Sequence, residues 1–206
     1  MRSLKQNNIL FFLVSILLIS ACVSKSFDSE KEYLTFLYDE SNGYLYSKNV
    51  NDFKYSLLYR PVDLMVNTDL ERSLVNHNVV DSLRNKYGEF LYFSLSMSKN
   101  NKELLSVVPK NKQEYGVLSK QLTFDMRDKV HLFTQKKDTI DLIDFVYSKL
   151  YGMSNSTDLL FVFPRDKKFL NGEYLNFTIE DFGLFTGEVK FKVPIKNIIN
   201  EPKINY

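Results

Sequence analysis

A chain of 206 residues with one cysteine, two histidines and no tryptophan has few routes to chemistry. Cys22 is the only thiol, so no disulfide can form within the chain. His77 in VNHNV and His131 in KVHLF stand alone. Neither has a second His, Cys or carboxylate at ligand spacing, and a zinc site needs three or four such groups. Asp138, Asp141 and Asp144 recur every third residue in DTIDLID. A helix would align them along one stripe, as a calcium or acid/base site wants, whereas a strand turns Asp141 away from the other two. The stretch lacks the glycine and closing glutamate of an EF-hand loop, so a solvated face is the simpler reading. No GxSxG elbow, GxxxxGK[ST] loop or GxGxxG turn occurs. The expectation is a chain with no catalytic residue, no metal ligands and no cofactor.

The surroundings of Cys22 give it a different use. Arg2 and Lys5 precede an apolar run from Ile9 to Ile19, which closes on Ser20-Ala21. A positive start, an apolar stretch of roughly 7–15 residues and a small-residue cleavage site make a secretory signal. A membrane-spanning helix needs about 20 apolar residues. The run from Ile9 to Val23 reaches only about 22 Å at 1.5 Å per residue.

Ile19-Ser20-Ala21-Cys22 resembles the lipobox of bacterial lipoproteins, with isoleucine in place of the usual leucine. The resemblance implies that the Cys22 sulfur receives a diacylglycerol, that cleavage falls between Ala21 and Cys22, and that the new N-terminus is acylated. Several acyl chains, at about 0.8 kcal/mol per buried methylene, make attachment effectively permanent. The stretch Ser26 to Glu30 (SFDSE) looks like the acidic export signal of Bacteroidota surface lipoproteins. That likeness implies an outer-membrane location, on the surface or the periplasmic face.

The expected organisation is a signal peptide over 1–21, a lipid-anchored tether over 22–28 and one globular domain over 29–206. The signal carries two positive charges and no negative ones, so the mature chain is formally neutral against its 25 Asp and Glu. Neutrality removes the basic footprint that nucleic-acid binding requires. The membrane, through the lipid, and another envelope protein are the expected partners.

With 17 Phe and 13 Tyr but only twelve Gly and Pro together, the composition favours strands and offers no linker to divide the chain. Ser29 with Glu32 forms a capping-box pattern that predicts a helix over about 30–40. Alternation in Tyr44-Tyr46 and Phe53-Tyr55-Leu57-Tyr59 predicts a hairpin with its turn at 49–52 and its tyrosines as cross-strand packing pairs. Pro61 suits a helix start, with helix from Val79 to Tyr87. Strands are expected over 89–97, 122–126, 130–133 and 159–163, with a closing hairpin over 174–180 and 188–193. Lys112 to Lys120 reads as a helix, Thr139 to Tyr151 as strand, and Arg165 to Lys168 as a wet charged loop. Together these predict a mainly β domain, an antiparallel β-sandwich with a short N-terminal helix and one or two edge helices. The alternative is an α+β fold with 139–151 helical. For function, a non-catalytic interaction or scaffolding role is expected first. A small-ligand or glycan-binding surface lipoprotein comes second and an envelope hydrolase third.

Overall fold

A computed structural model describes residues 24–70 and 76–206, so Cys22 and the cleavage pair Ala21-Cys22 lie outside the described residues. In chain order the elements are β1 (Ser26–Phe27), α1 (Glu30–Tyr38), β2 (Leu45–Val50), β3 (Phe53–Arg60), α2 (Val62–Asp69), α3 (His77–Gly88) and β4 (Phe90–Lys99). They continue with α4 (Leu104–Val107), α5 (Lys112–Lys120), β5 (Val130–Thr134), β6 (Thr139–Ile140), β7 (Asp144–Ser148) and β8 (Thr157–Pro164). The chain closes with β9 (Tyr174–Ile179), β10 (Val189–Pro194), α6 (Ile195–Ile199) and β11 (Lys203–Ile204).

Two antiparallel sheets, in the orders β2-β3-β4-β8-β7 and β10-β9-β5-β6, pack face to face as a sandwich. Alternation between buried and more exposed positions is clearest in β8 and β10. In β8 every second residue is buried, and β10 buries Val189, Phe191 and Val193 while exposing Lys190 and Lys192. Phe177 of β9 is the main inter-sheet contact, with its ring 5.5 Å from Phe93, 5.7 Å from Phe161 and 6.4 Å from Phe163. The expected tyrosine pairing holds for Tyr44 and Tyr59, which stack at 6.5 Å, whereas Tyr46 lies opposite Leu57 and Tyr55 opposite Lys48. Ser29 caps α1 by accepting from the Glu32 amide at 3.3 Å, and Tyr33 and Leu37, one turn apart, carry the buried side of that helix.

Three expectations change. Residues 122–126 are not a strand: a π-turn (Gln121–Asp125) and a 3₁₀ turn (Met126–Asp128) continue α5. Leu118, Leu122 and Met126 are buried at four-residue spacing while Phe124 is 70% exposed, so the apolar period is helical and the apparent alternation is coincidental. Arg165, expected in a wet loop, turns inward to Glu201 at 2.8 Å and donates to the Ile198 carbonyl. The stretch expected as a tether is docked from Ser26 onward, because β1 pairs in parallel with β11 and Phe27 is buried.

Strand register sorts the loops into two ends. Arg60 lies opposite Tyr92 and Phe90 opposite Pro164, so these residues share one end. Ring contacts from Phe27 through Phe36 to Tyr44 bring the incoming chain to that same entry end. Gly43 is required there. It sits at φ +73°, and a Cβ would fall 2.7 Å from the Asn197 amide nitrogen that bonds its carbonyl. Phe53 opposite Lys99 and Met97 opposite Thr157 define the far end, about 25 Å away along the eight residues of β3. The loop between β9 and β10 joins the far end through Asn51, whose amide donates to the Phe185 carbonyl at 2.9 Å.

Candidate functional site

Large apolar side chains are exposed on several elements of the far end, among them Tyr151, Met153 and Phe185. Two loops there share one device. In the first, a carboxylate from Asp181 accepts the amides of Gly183 (2.9 Å), Leu184 (2.8 Å), Phe185 (3.1 Å) and Gly187 (3.2 Å). Phe182 and Leu184 point into the core, and Tyr55 meets Thr186 at 3.0 Å across the sandwich. Phe185 at the tip is left 87% exposed with φ +58°, a left-handed conformation that an aromatic residue adopts at a cost.

In the second loop the carboxylate is Glu103, 3% exposed, which follows the end of β4. It accepts the Gly152 amide at 2.7 Å and the Ser154 amide at 3.2 Å, while Thr157 accepts the Leu104 amide at 2.9 Å. The residue held outward is Tyr151, again left-handed at φ +50°, followed by Met153 at 83% exposure. Beside this loop a cleft of about 400 Å³ lies between β7, α5 and α4. Glu103, Tyr115, Ser119, Tyr147, Lys149 and Tyr151 line it. The Lys149 ammonium stands 5.9 Å from the centre of the Tyr147 ring. Burial, with the Glu103 charge adding to it, pushes the Tyr147 hydroxyl up to about 12, so it remains a protonated donor at neutral pH.

The Asp181 loop yields a pH prediction. Burial raises the pKa of its carboxyl, but the amides of Gly187, Leu184, Gly183 and Phe185 together outweigh burial and hold it below the ordinary aspartate value. A folded-state value below the unfolded one stabilises the loop above the unfolded pKa, and that stabilisation disappears as pH falls through the folded value. Asp181→Ala is expected to speed amide exchange at 183–187 by about tenfold at neutral pH, since four amides lose a charged acceptor worth about 1–3 kcal/mol. Unchanged exchange rates in that variant would mean that the flanking core residues alone shape the loop.

The residues singled out by composition fall elsewhere. His77 opens α3 on the surface. His131 faces away from buried Val130 and Leu132 and meets Glu180 at 3.0 Å. Asp138, Asp141 and Asp144 are all exposed. Among the described residues no group of three His, Cys, Asp or Glu side chains is placed to hold a metal ion, and no helix is long and apolar enough to cross a membrane. Asp181 carried no sequence signal beyond the nearby Gly183 and Gly187, and Glu103 carried none, because its amide partners Gly152 and Ser154 lie about fifty residues away.

The fold and its far end define a two-sheet antiparallel domain that holds two aromatic loops outward on internal carboxylates. Comparisons with protein-family models, with curated proteins and with solved structures found no match for this chain.

Proposed function

We propose that this chain is a lipid-anchored protein of the bacterial envelope with a non-catalytic interaction role, presenting the far end of its sandwich to another envelope protein. The observation that carries the reading is the pair of exposed rings, Phe185 and Tyr151, each in a left-handed conformation within a loop that a carboxylate ties down through its amides. Strain at an exposed aromatic position brings the isolated domain no packing energy, and it is the arrangement expected of a pre-ordered contact residue. Large aromatic side chains of this kind dominate interface energetics once they fill a partner's pocket.

The lipid supplies orientation. Ser26, the first residue in a strand, follows Cys22 by four positions, a reach of at most about 14 Å. The entry end is then held near the membrane, and the two loops stand roughly 25 Å beyond it. An outer-membrane location, on the surface or the periplasmic face, accompanies this reading.

A photo-crosslinking amino acid placed at Phe185, at Tyr151 and, as a control, at Val79 on α3 tests the proposal in intact cells. The expected result is one envelope protein, identified by mass spectrometry, captured from both loop positions and not from Val79. Recovery of no adduct from either loop, or of the same adducts from all three positions, would overturn it.

A further inference from the structure

The cleft beside Tyr151 has a polar inventory that a flat protein contact would not need. Tyr115, Tyr147, Tyr151, Ser106 and Ser119 bring hydroxyls to it, and Lys149 brings an ammonium. None of these six side chains makes a hydrogen bond within the chain among the described residues; Lys149 has only its approach to the Tyr147 ring. Glu103 lies at the floor, and its two oxygens each accept a single amide. A carboxylate has about four acceptor positions, so half of that capacity remains for a ligand. Convergent polar groups in a concave space of a few hundred Å³ are the usual marks of a small-molecule site.

Charge narrows the ligand class. An anion would satisfy Lys149 but meet Glu103, and a cation would satisfy Glu103 but meet Lys149. A neutral ligand rich in both donors and acceptors satisfies every group: its hydroxyl hydrogens go to Glu103, and its oxygens accept from Lys149 and from the tyrosine and serine hydroxyls. Three tyrosine rings along the walls add faces for an apolar surface to lie against. A sugar ring has this combination, with hydroxyls around its edge and C–H bonds on its faces. We propose that this cleft binds a neutral saccharide. Glu103 acts as the acceptor at its floor, Tyr115, Tyr147 and Tyr151 as walls, and Lys149 and Ser119 as donors. The assignment shares Tyr151 with the protein-partner reading but not the Phe185 loop, so saccharide binding and partner capture at Phe185 can succeed or fail separately.

Binding is tested on the full chain in a zwitterionic detergent, which avoids sugar headgroups. A panel of neutral mono- and disaccharides is followed by saturation-transfer NMR and by intrinsic tyrosine fluorescence, the chain having no tryptophan. At least one saccharide is expected to bind saturably. Tyr151→Ala and Tyr115→Ala lie on different elements, and each is expected to weaken it at least about tenfold, the equivalent of 1.4 kcal/mol. Asp181→Ala, which acts on the other loop, should leave it unchanged. Glycine serves as the zwitterionic competitor. Binding of no saccharide in the panel overturns the assignment, and so does binding of glycine with the same losses in the two tyrosine variants. Saccharide binding that survives both tyrosine variants places the ligand elsewhere and overturns it as well.

Discussion

Replacing Arg84 with Met is expected to destabilise the domain by about 3–5 kcal/mol and to lower its melting temperature on the order of 10 °C. Asp63, 3% exposed in the first turn of α2, accepts from the Arg84 guanidinium at 2.8 and 2.7 Å and from the Ile204 amide at 2.7 Å. The same guanidinium donates to the Ile204 carbonyl at 3.0 Å and lies 5.6 Å from the Tyr206 ring. Removing Arg84 leaves a buried carboxylate with one amide for company, which is why breaking such a pair costs more than the pair is worth. Replacing both partners together, as Asp63→Leu with Arg84→Met, should therefore recover much of the loss. Thermal unfolding followed by circular dichroism distinguishes these outcomes. A shift of only a degree or two in the single variant would mean that solvent reaches Asp63 freely, contrary to its burial.

Replacing Cys22 with Ala has the larger consequence for where the protein resides. The wild-type chain is expected to sediment with membranes, its first residue being an acylated Cys22. The Cys22→Ala chain is expected either to retain residues 1–21 or to appear as a soluble product, because no other cysteine can take the lipid. Two or more acyl chains hold to a bilayer effectively without release, so a soluble Cys22→Ala product should separate completely from the lipidated chain, and a product that keeps residues 1–21 differs from it by mass. Fractionation combined with intact-mass measurement reads both quantities. A Cys22→Ala protein that is cleaved after Ala21 and still sediments with membranes would refute lipid attachment.

Much of the sandwich could be read from local patterns. LLFVF in β8, the Lys-separated β10 and the Ser29 cap each depend on neighbours within a few residues, where periodicity and capping chemistry act. The error at 122–126 has a local cause as well: Leu122, Phe124 and Met126 satisfy a two-residue period by accident, and only the burial of Leu118 reveals the helical one. What escaped was long-range. Arg165 finds Glu201, and Tyr59 donates to the same carboxylate, across more than thirty and more than a hundred residues respectively. Of the two loop carboxylates, Asp181 bonds the amide two residues on and leaves only the short Asp-Phe-Gly turn pattern, while Glu103 bonds amides about fifty residues away and leaves no local pattern at all.

The short parallel pair of β1 and β11 determines how the domain answers a mechanical load. If the lipid holds Cys22 while a partner pulls at the far end, tension enters through Lys25 and reaches the Lys203 amide bonded to its carbonyl at 2.8 Å. The Asn205 amide on Phe27 at 2.9 Å is next. A pull that peels β1 away would load these bonds one after the other, and they would yield at low force, releasing Phe27 from its pocket. Beyond them Ser29 and α1 would come under tension, while the Asp63–Arg84 and Glu201–Arg165 pairs hold the C-terminal strap to the sandwich independently of β1. Under such a load the first two residues of the fold would act as a yielding link, lengthening the leash by several residues before the sheets themselves bore the strain.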